Sequence, residues 1–221
     1  MTAVRLFVGV PVALGVSRAL AGACETLARR ARGGGLTLAW VPPARYHVTV
    51  AFLGGARPEV VPAVRAALAE VARAARPFRF RCERLGAFAS PERATVVWAG
   101  IDDASGDLAR LAHEAGAAMA DLGFATDPRP YRPHVTLARL KAPEPVSEVL
   151  LPLSEQVFGE SRCDALTLYE SSLVANGYEY GVIAREALGT PKSVAERQTD
   201  TVQTAPFDAS HGSDDGWDRT S

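Results

Sequence analysis

Arg45-Tyr46-His47-Val48-Thr49-Val50-Ala51-Phe52 and Arg132-Pro133-His134-Val135-Thr136-Leu137-Ala138-Arg139 are one phrase written twice, with Arg, His, Val, Thr and Ala in register. The chain has four histidines, and two of them head this phrase; His113 and His211 have no such surroundings. Side chains of a β-strand alternate between its two faces. Read as strands, the first copy places Arg45, His47, Thr49 and Ala51 on one face. Tyr46, Val48, Val50 and Phe52 fall on the other, where they can pack beneath a helix. The second copy gathers Arg132, His134, Thr136 and Ala138, turns Val135 and Leu137 toward the core, and leaves Arg139 facing away from His134 unless a twist or bulge rotates it. If the two copies belong to halves related by a pseudo-twofold axis, their polar faces meet across one cleft.

The surrounding periodicity supplies the rest of each half. Residues 4–10, 78–88 and 95–101 read as strands, and residues 165–173 and 178–187 as a hairpin turning at Asn176-Gly177. Helical spacing of apolar residues runs through 12–32, 59–75 and 107–122, with stops at Gly33-Gly34-Gly35, Pro77 and Gly123. Helices alternate with strands, but some strands arrive in pairs. The expected class is therefore α+β and not a doubly wound parallel sheet.

The chain has 221 residues, 48% of them hydrophobic, and a mean hydropathy of +0.02, which excludes a wholly disordered polymer. Beyond residue 189 the composition changes. Residues 190–221 carry six acids against three bases and few apolar residues, so a globular domain over 1–189 and a disordered acidic tail over 190–221 are expected. The whole chain has a net charge of −1, and the body without the tail is slightly basic. Recognition of nucleic acid by bulk charge is thereby excluded, and any phosphate chemistry must use a few placed cations.

Cys24, Cys82 and Cys163 are sparse, odd in number and without CxxC spacing, which argues against a disulfide framework or a structural zinc and for a reducing, cytoplasmic setting. The apolar run over residues 6–16 is interrupted by Gly9, Pro11 and Gly15, and reads as a strand and a helix start, not a leader. No run reaches the length of a membrane helix, so a protein without a membrane partner is expected.

Each copy of the phrase presents a cation, an imidazole and a hydroxyl. Two imidazoles with pKa values near ~6.5 suit general acid–base work, one neutral and one charged. Thr49 and Thr136 can donate hydrogen bonds to phosphate oxygens, and an arginine can meet negative charge as it develops. No carboxylate cluster accompanies the histidines, so neither a metal nor another cofactor is expected. A lone histidine on a strand is more often a packed or solvent-facing residue, and His113 and His211 take that reading. Duplication with flanking identity moves His47 and His134 out of it.

His47-Val48-Thr49-Val50 and His134-Val135-Thr136-Leu137 resemble the paired signature of the 2H phosphoesterase superfamily. Within it the chain resembles the bacterial and archaeal RNA 2′,3′-cyclic phosphodiesterases, historically called 2′-5′ RNA ligases. Arg5-Leu6-Phe7-Val8, Trp40-Val41-Pro42-Pro43, Ala51-Phe52-Leu53-Gly54, Val96-Val97-Trp98-Ala99-Gly100 and Leu166-Thr167-Leu168-Tyr169-Glu170-Ser171 carry the resemblance, with Gly177 and Tyr180 in the last strand. It spans residues 4–188.

The resemblance implies a bilobal fold: two pseudo-symmetric, mainly antiparallel sheets with outer helices around a central cleft. It implies hydrolysis of a 2′,3′-cyclic phosphate at an RNA 3′ end to a 2′-phosphomonoester. His47 is then the proton donor and His134 the acceptor, with Thr49 and Thr136 on the phosphate oxygens. Arg132 would reach the phosphate. Arg45 shares its geometry, although the family often has an uncharged residue there. Tyr131 would stack on a terminal base or simply pack at its loop. The alternatives are 2′-5′ joining of RNA ends by the same residues, a phosphodiesterase for small cyclic nucleotides, and a module that binds RNA ends or nucleotides without turnover. A monomer is expected.

Overall fold

The computed structural model describes residues 3–174 and 177–189, so the segment 190–221, expected to be a tail, and His211 within it lie outside the described residues. In chain order the elements are β1 (Val4–Pro11), α1 (Leu14–Gly33), β2 (Ala39–Trp40), β3 (His47–Ala56), α2 (Val61–Ala74), β4 (Phe78–Phe88), β5 (Ala94–Asp102), α3 (Asp107–Asp121), β6 (His134–Glu144), α4 (Ser147–Leu150), β7 (Val157–Cys163), β8 (Ala165–Val174) and β9 (Gly177–Ala187).

The strands form one nine-stranded sheet in the order β7-β4-β5-β6-β3-β1-β8-β9, with β2 added beside β6. Every pairing among the described residues is antiparallel. The two expected sheets are the two halves of this one. Read from the middle outward they run β3-β1-β8-β9 and β6-β5-β4-β7, strand matching strand. Next to the middle each half has a strand–helix–strand unit, β1-α1-β3 and β5-α3-β6, and β3 meets β6 through one residue pair, Val48 with Val135. Those valines occupy equivalent places in the repeated phrase, so the pseudo-twofold axis passes through their pairing.

One face of the sheet carries the core. Val48 and Val50 of β3 and Val135 and Leu137 of β6 are buried there with Leu6, Val8 and Val10 of β1. The helices cover them with apolar stripes at helical spacing: Val16, Leu20, Leu27 and Ala31 on α1, Val64, Leu68 and Ala72 on α2, Leu108, Leu111, Ala115 and Met119 on α3. Burying each of the larger side chains contributes roughly 1.5–3 kcal/mol. The helix ends follow from the sequence. Gly35, at φ 73, supplies the left-handed residue just beyond α1. Asp103 Oδ2 accepts from the Leu108 and Ala109 backbone N–H groups at 2.7 and 3.3 Å, capping α3.

Several features depart from the sequence reading, among them β2 and α4, which it did not contain. β7 arises from Val157-Phe158-Gly159-Glu160-Ser161-Arg162-Cys163, whose single glycine and three polar residues hide an edge strand. Arg45 belongs to a 3₁₀ turn, Pro43–Arg45, and not to β3, which begins at His47; β6 likewise begins at His134 and leaves Arg132 outside it. The register of β8 with β9 puts their connection at residues 175 and 176, outside the described residues.

Candidate active site

The repeated strands carry the same irregularity at the same place. In β3, Gly9 faces Thr49 and Val8 faces Ala51, so Val50 is an extra residue. In β6, Trp98 faces Thr136 and Val97 faces Ala138, so Leu137 is extra. Such a bulge makes two consecutive residues share one face and shifts the alternation beyond them. Val50 and Ala51 accordingly both turn toward the core, as do Leu137 and Ala138. The next residues, Phe52 and Arg139, swing onto the histidine face. This corrects the strict alternation expected from sequence, which put Ala51 and Ala138 beside the imidazoles and Phe52 and Arg139 behind them.

His47 and His134 are held alike. The Nδ1 of His47 lies 2.8 Å from the Arg45 carbonyl oxygen, and that of His134 lies 2.7 Å from the Arg132 carbonyl oxygen. A carbonyl only accepts, so each imidazole carries its proton on Nδ1 and leaves Nε2 without a partner among the described residues. Aromatic rings fix the orientation. Phe7 and Tyr180 lie 4.8 and 5.3 Å from His47, centroid to centroid, and Phe88 lies 4.9 Å from His134. Burial is the main cause that lowers the pKa of both histidines below the ordinary value. The carbonyl hydrogen bonds oppose that shift, and the Arg139 guanidinium adds to it on both rings. His134 also lowers His47, so the two halves of the phrase share one electrostatic environment.

Thr49 and Thr136 are half-buried on the same face, and neither hydroxyl is hydrogen-bonded among the described residues. The arginines before the two phrases differ. Arg132 is exposed and makes no side-chain hydrogen bond or ion pair among the described residues. Arg45 donates from Nη1 to the Tyr178 carbonyl at 2.5 Å, and its Nη2 lies 3.9 Å from Glu179 Oε1. Tyr131 donates its hydroxyl to the Thr49 carbonyl at 3.0 Å, tying the approach to the second phrase onto the first strand. The approach to the first is tied in return: Val41 N–H donates to the Leu137 carbonyl at 2.8 Å, and β2 pairs with β6.

Arg139 and Phe52 are the site-face residues that alternation concealed. Arg139 is exposed, and Phe52 is 58% exposed with the Arg5 guanidinium 5.9 Å from its ring centroid. The signal that could have found them is the small Ala51 and Ala138 following a buried β-branched or leucine residue, which suits a bulge buried on both of its residues. Among the described residues no group of three or more His, Cys, Asp and Glu side chains is arranged to hold a metal ion. None of their helices is long and apolar enough to cross a membrane. Among the described residues the two imidazoles have no partner at Nε2, the Thr49 and Thr136 hydroxyls have none, and the Arg132 and Arg139 guanidinium groups are unpaired, so the same face of the sheet offers proton donors and acceptors together with positive charge.

The sequence profile described as the 2′-5′ RNA ligase superfamily matches residues 18–174. An RNA 2′,3′-cyclic phosphodiesterase of Thermus thermophilus is 35% identical over 193 residues, covering 83% of this chain and 90% of the relative. One of Aeropyrum pernix is 31% identical over 151 residues, covering 66% of this chain and 84% of the relative. Among solved structures, a Thermus thermophilus protein superposes with a TM-score of 0.72 at 30% identity, covering 84% of this chain and 98% of its own. E. coli LigT complexed with 3′-AMP superposes at 0.65 with 25% identity, covering 84% and 98%.

Proposed function

Because the chain belongs to the 2′-5′ RNA ligase superfamily of 2H phosphoesterases, we propose that it is a hydrolase of RNA 2′,3′-cyclic phosphate ends, working by its paired histidines and without a metal. The observation that carries the reading is the matched state of the two imidazoles, each with Nδ1–H on a carbonyl two residues upstream and Nε2 without a partner among the described residues. Relatives named RNA 2′,3′-cyclic phosphodiesterase, at about 30% identity and above, support the substrate class.

In this reading the cyclic phosphate sits between the two Nε2 atoms. His134 takes a proton from water as the water oxygen bonds to phosphorus, and His47 gives a proton to the 3′ oxygen as its bond to phosphorus breaks. The product is a 2′-phosphomonoester and a free 3′ hydroxyl. Thr49 and Thr136 donate to the non-bridging oxygens, and Arg132 and Arg139 balance the charge that grows there. The phosphodiester's own negative charge favours the protonated state of His47 once it is bound, offsetting the burial that lowers it in the free enzyme. Phe52 under Arg5 offers a flat apolar surface suited to a nucleobase, which favours a nucleotide end over a bare phosphodiester.

A short RNA ending in a 2′,3′-cyclic phosphate, incubated with the enzyme in EDTA, tests the proposal. The expected outcome is turnover to the 2′-phosphate, identified by its resistance to enzymes that need a 3′-phosphate. Turnover that appears only on adding a divalent cation, or a 3′-phosphate product, overturns the mechanism. Binding without turnover moves the protein to the class of RNA-end binding modules.

A further inference from the structure

The two halves match so closely that the place where they differ is informative. Arg45 and Arg132 hold equivalent positions in the repeated phrase, and each gives its carbonyl to the histidine two residues on. Their side chains have opposite fates. That of Arg132 is unpaired among the described residues. That of Arg45, 28% exposed, bonds to the backbone of Tyr178 and faces Glu179 on β9.

In the ladder, β9 is the outer edge of its half, three strands from β3, and β8 is its one partner. The sheet curls so far that Tyr180, on this edge strand, sets its ring at 88° to that of His47 with centroids 5.3 Å apart, and reaches Phe7 at 5.0 Å. Arg45 closes this curl by linking the start of β3 directly to β9. Among the described residues the other half has no such link: the rings beside His134 are Phe88 and Trp98, from β4 and β5, and none comes from β7.

We propose that Arg45 is a positioning residue: its carbonyl orients the His47 ring, and its guanidinium holds the β9 wall against that ring, so that Arg45 does not serve as a phosphate ligand. The charge-assisted bond to the Tyr178 carbonyl is the working contact. The Glu179 pair is long and exposed, and contributes little. Without the clamp, Tyr180 loses its fixed place and water reaches the imidazole. The rings facing His47 are Phe7 on β1, Tyr169 on β8 and Tyr180 on β9, and the charged groups that act on it are His134 and Arg139, while the Arg45 guanidinium lies against Tyr178 and Glu179 of β9. Of the influences that hold its titration low, burial is the largest and is the one the clamp controls.

The test uses the full chain and reads His47 directly, by imidazole NMR titration, in Arg45→Ala, Arg45→Gln, Arg45→Lys and Glu179→Gln. In Arg45→Ala and Arg45→Gln the His47 midpoint rises toward that of a free histidine while that of His134 stays in place. Arg45→Lys restores part of the shift, and Glu179→Gln changes little. Kinetics on the cyclic-phosphate RNA rest on the proposed hydrolase activity: kcat falls ~10-fold with KM within about twofold, because a misplaced proton donor slows chemistry and not binding. An unmoved His47 titration together with a raised KM overturns the proposal and makes Arg45 a phosphate ligand. A wild-type protein inactive on this RNA defeats the hydrolase reading, whereas the titration still decides for or against the clamp by itself.

Discussion

His47 and His134 are both lowered below the ordinary histidine value, chiefly by burial, and this sets the direction of the pH response. Acid–base catalysis needs one imidazole protonated and the other neutral, and kcat/KM reports the free enzyme's titrations. With both midpoints low, the bell-shaped profile is expected to peak on the acid side of ~6.5. A peak above about pH 7.5 is incompatible with this pair as the acid and base. His134→Ala is expected to lower kcat by ~10²–10⁴-fold, the range for losing a general acid or base, while a cyclic-phosphate RNA still binds in a filter assay. Arg139 adds positive charge near both rings. Arg139→Ala therefore raises both NMR midpoints and lowers kcat/KM. Midpoints that stay put would show that its charge does not reach the imidazoles.

At the scale of the elements, most strands and helices were legible because their apolar residues keep a period of 2 or 3.6. What alternation could not show was the bulge in each repeated strand. Counting by twos from His134 lands on Ala138 and passes over Arg139, whereas Leu137 and Ala138 are buried together. The 3₁₀ turn at Pro43–Arg45 was hidden for the same reason, since Arg45 keeps strand parity with His47 while its guanidinium leaves for another strand. That the two copies of the phrase belong together was legible in their duplication, and the pairing of Val48 with Val135 sets them side by side. β5 and β4 yield a test of how tightly the second half is built. A methyl group on Gly86 would lie 2.3 Å from the Trp98 ring, which packs beside Phe88 and near His134. Gly86→Ala is expected to displace that ring and to cost about 1–3 kcal/mol, as overpacking does. A wild-type Tm in this variant would mean that Trp98 does not lie flat on Gly86.

For the molecule as a whole, the lowered histidines also link stability to acidity. Unfolded, each titrates near ~6.5; folded, each titrates lower, so the unfolded chain binds more protons as the pH falls through that window. Stability is therefore expected to fall from about pH 7 toward 5, and replacing both histidines by glutamine should flatten the Tm over this range. The last described residues are tied to the body, Leu188 N–H donating to the Asp164 carbonyl at 2.8 Å and Gly189 N–H to the Ala72 carbonyl at 3.3 Å. On the proposal that residues 190–221 are dispensable, a chain cut after Thr190 keeps both Tm and turnover; a loss of either gives that segment a role. The strand order has a further consequence, for the ribosome. β1 is made first, but it lies between β3, complete by Ala56, and β8, which begins at Ala165. Through most of translation one side of an apolar strand has no mate, a segment open to misassociation and to chaperones. The wall that Tyr169 and Tyr180 form beside His47 is synthesised after every other described strand. A growing chain thus carries both histidines long before it can enclose the first, and it becomes an enzyme only in its final strands.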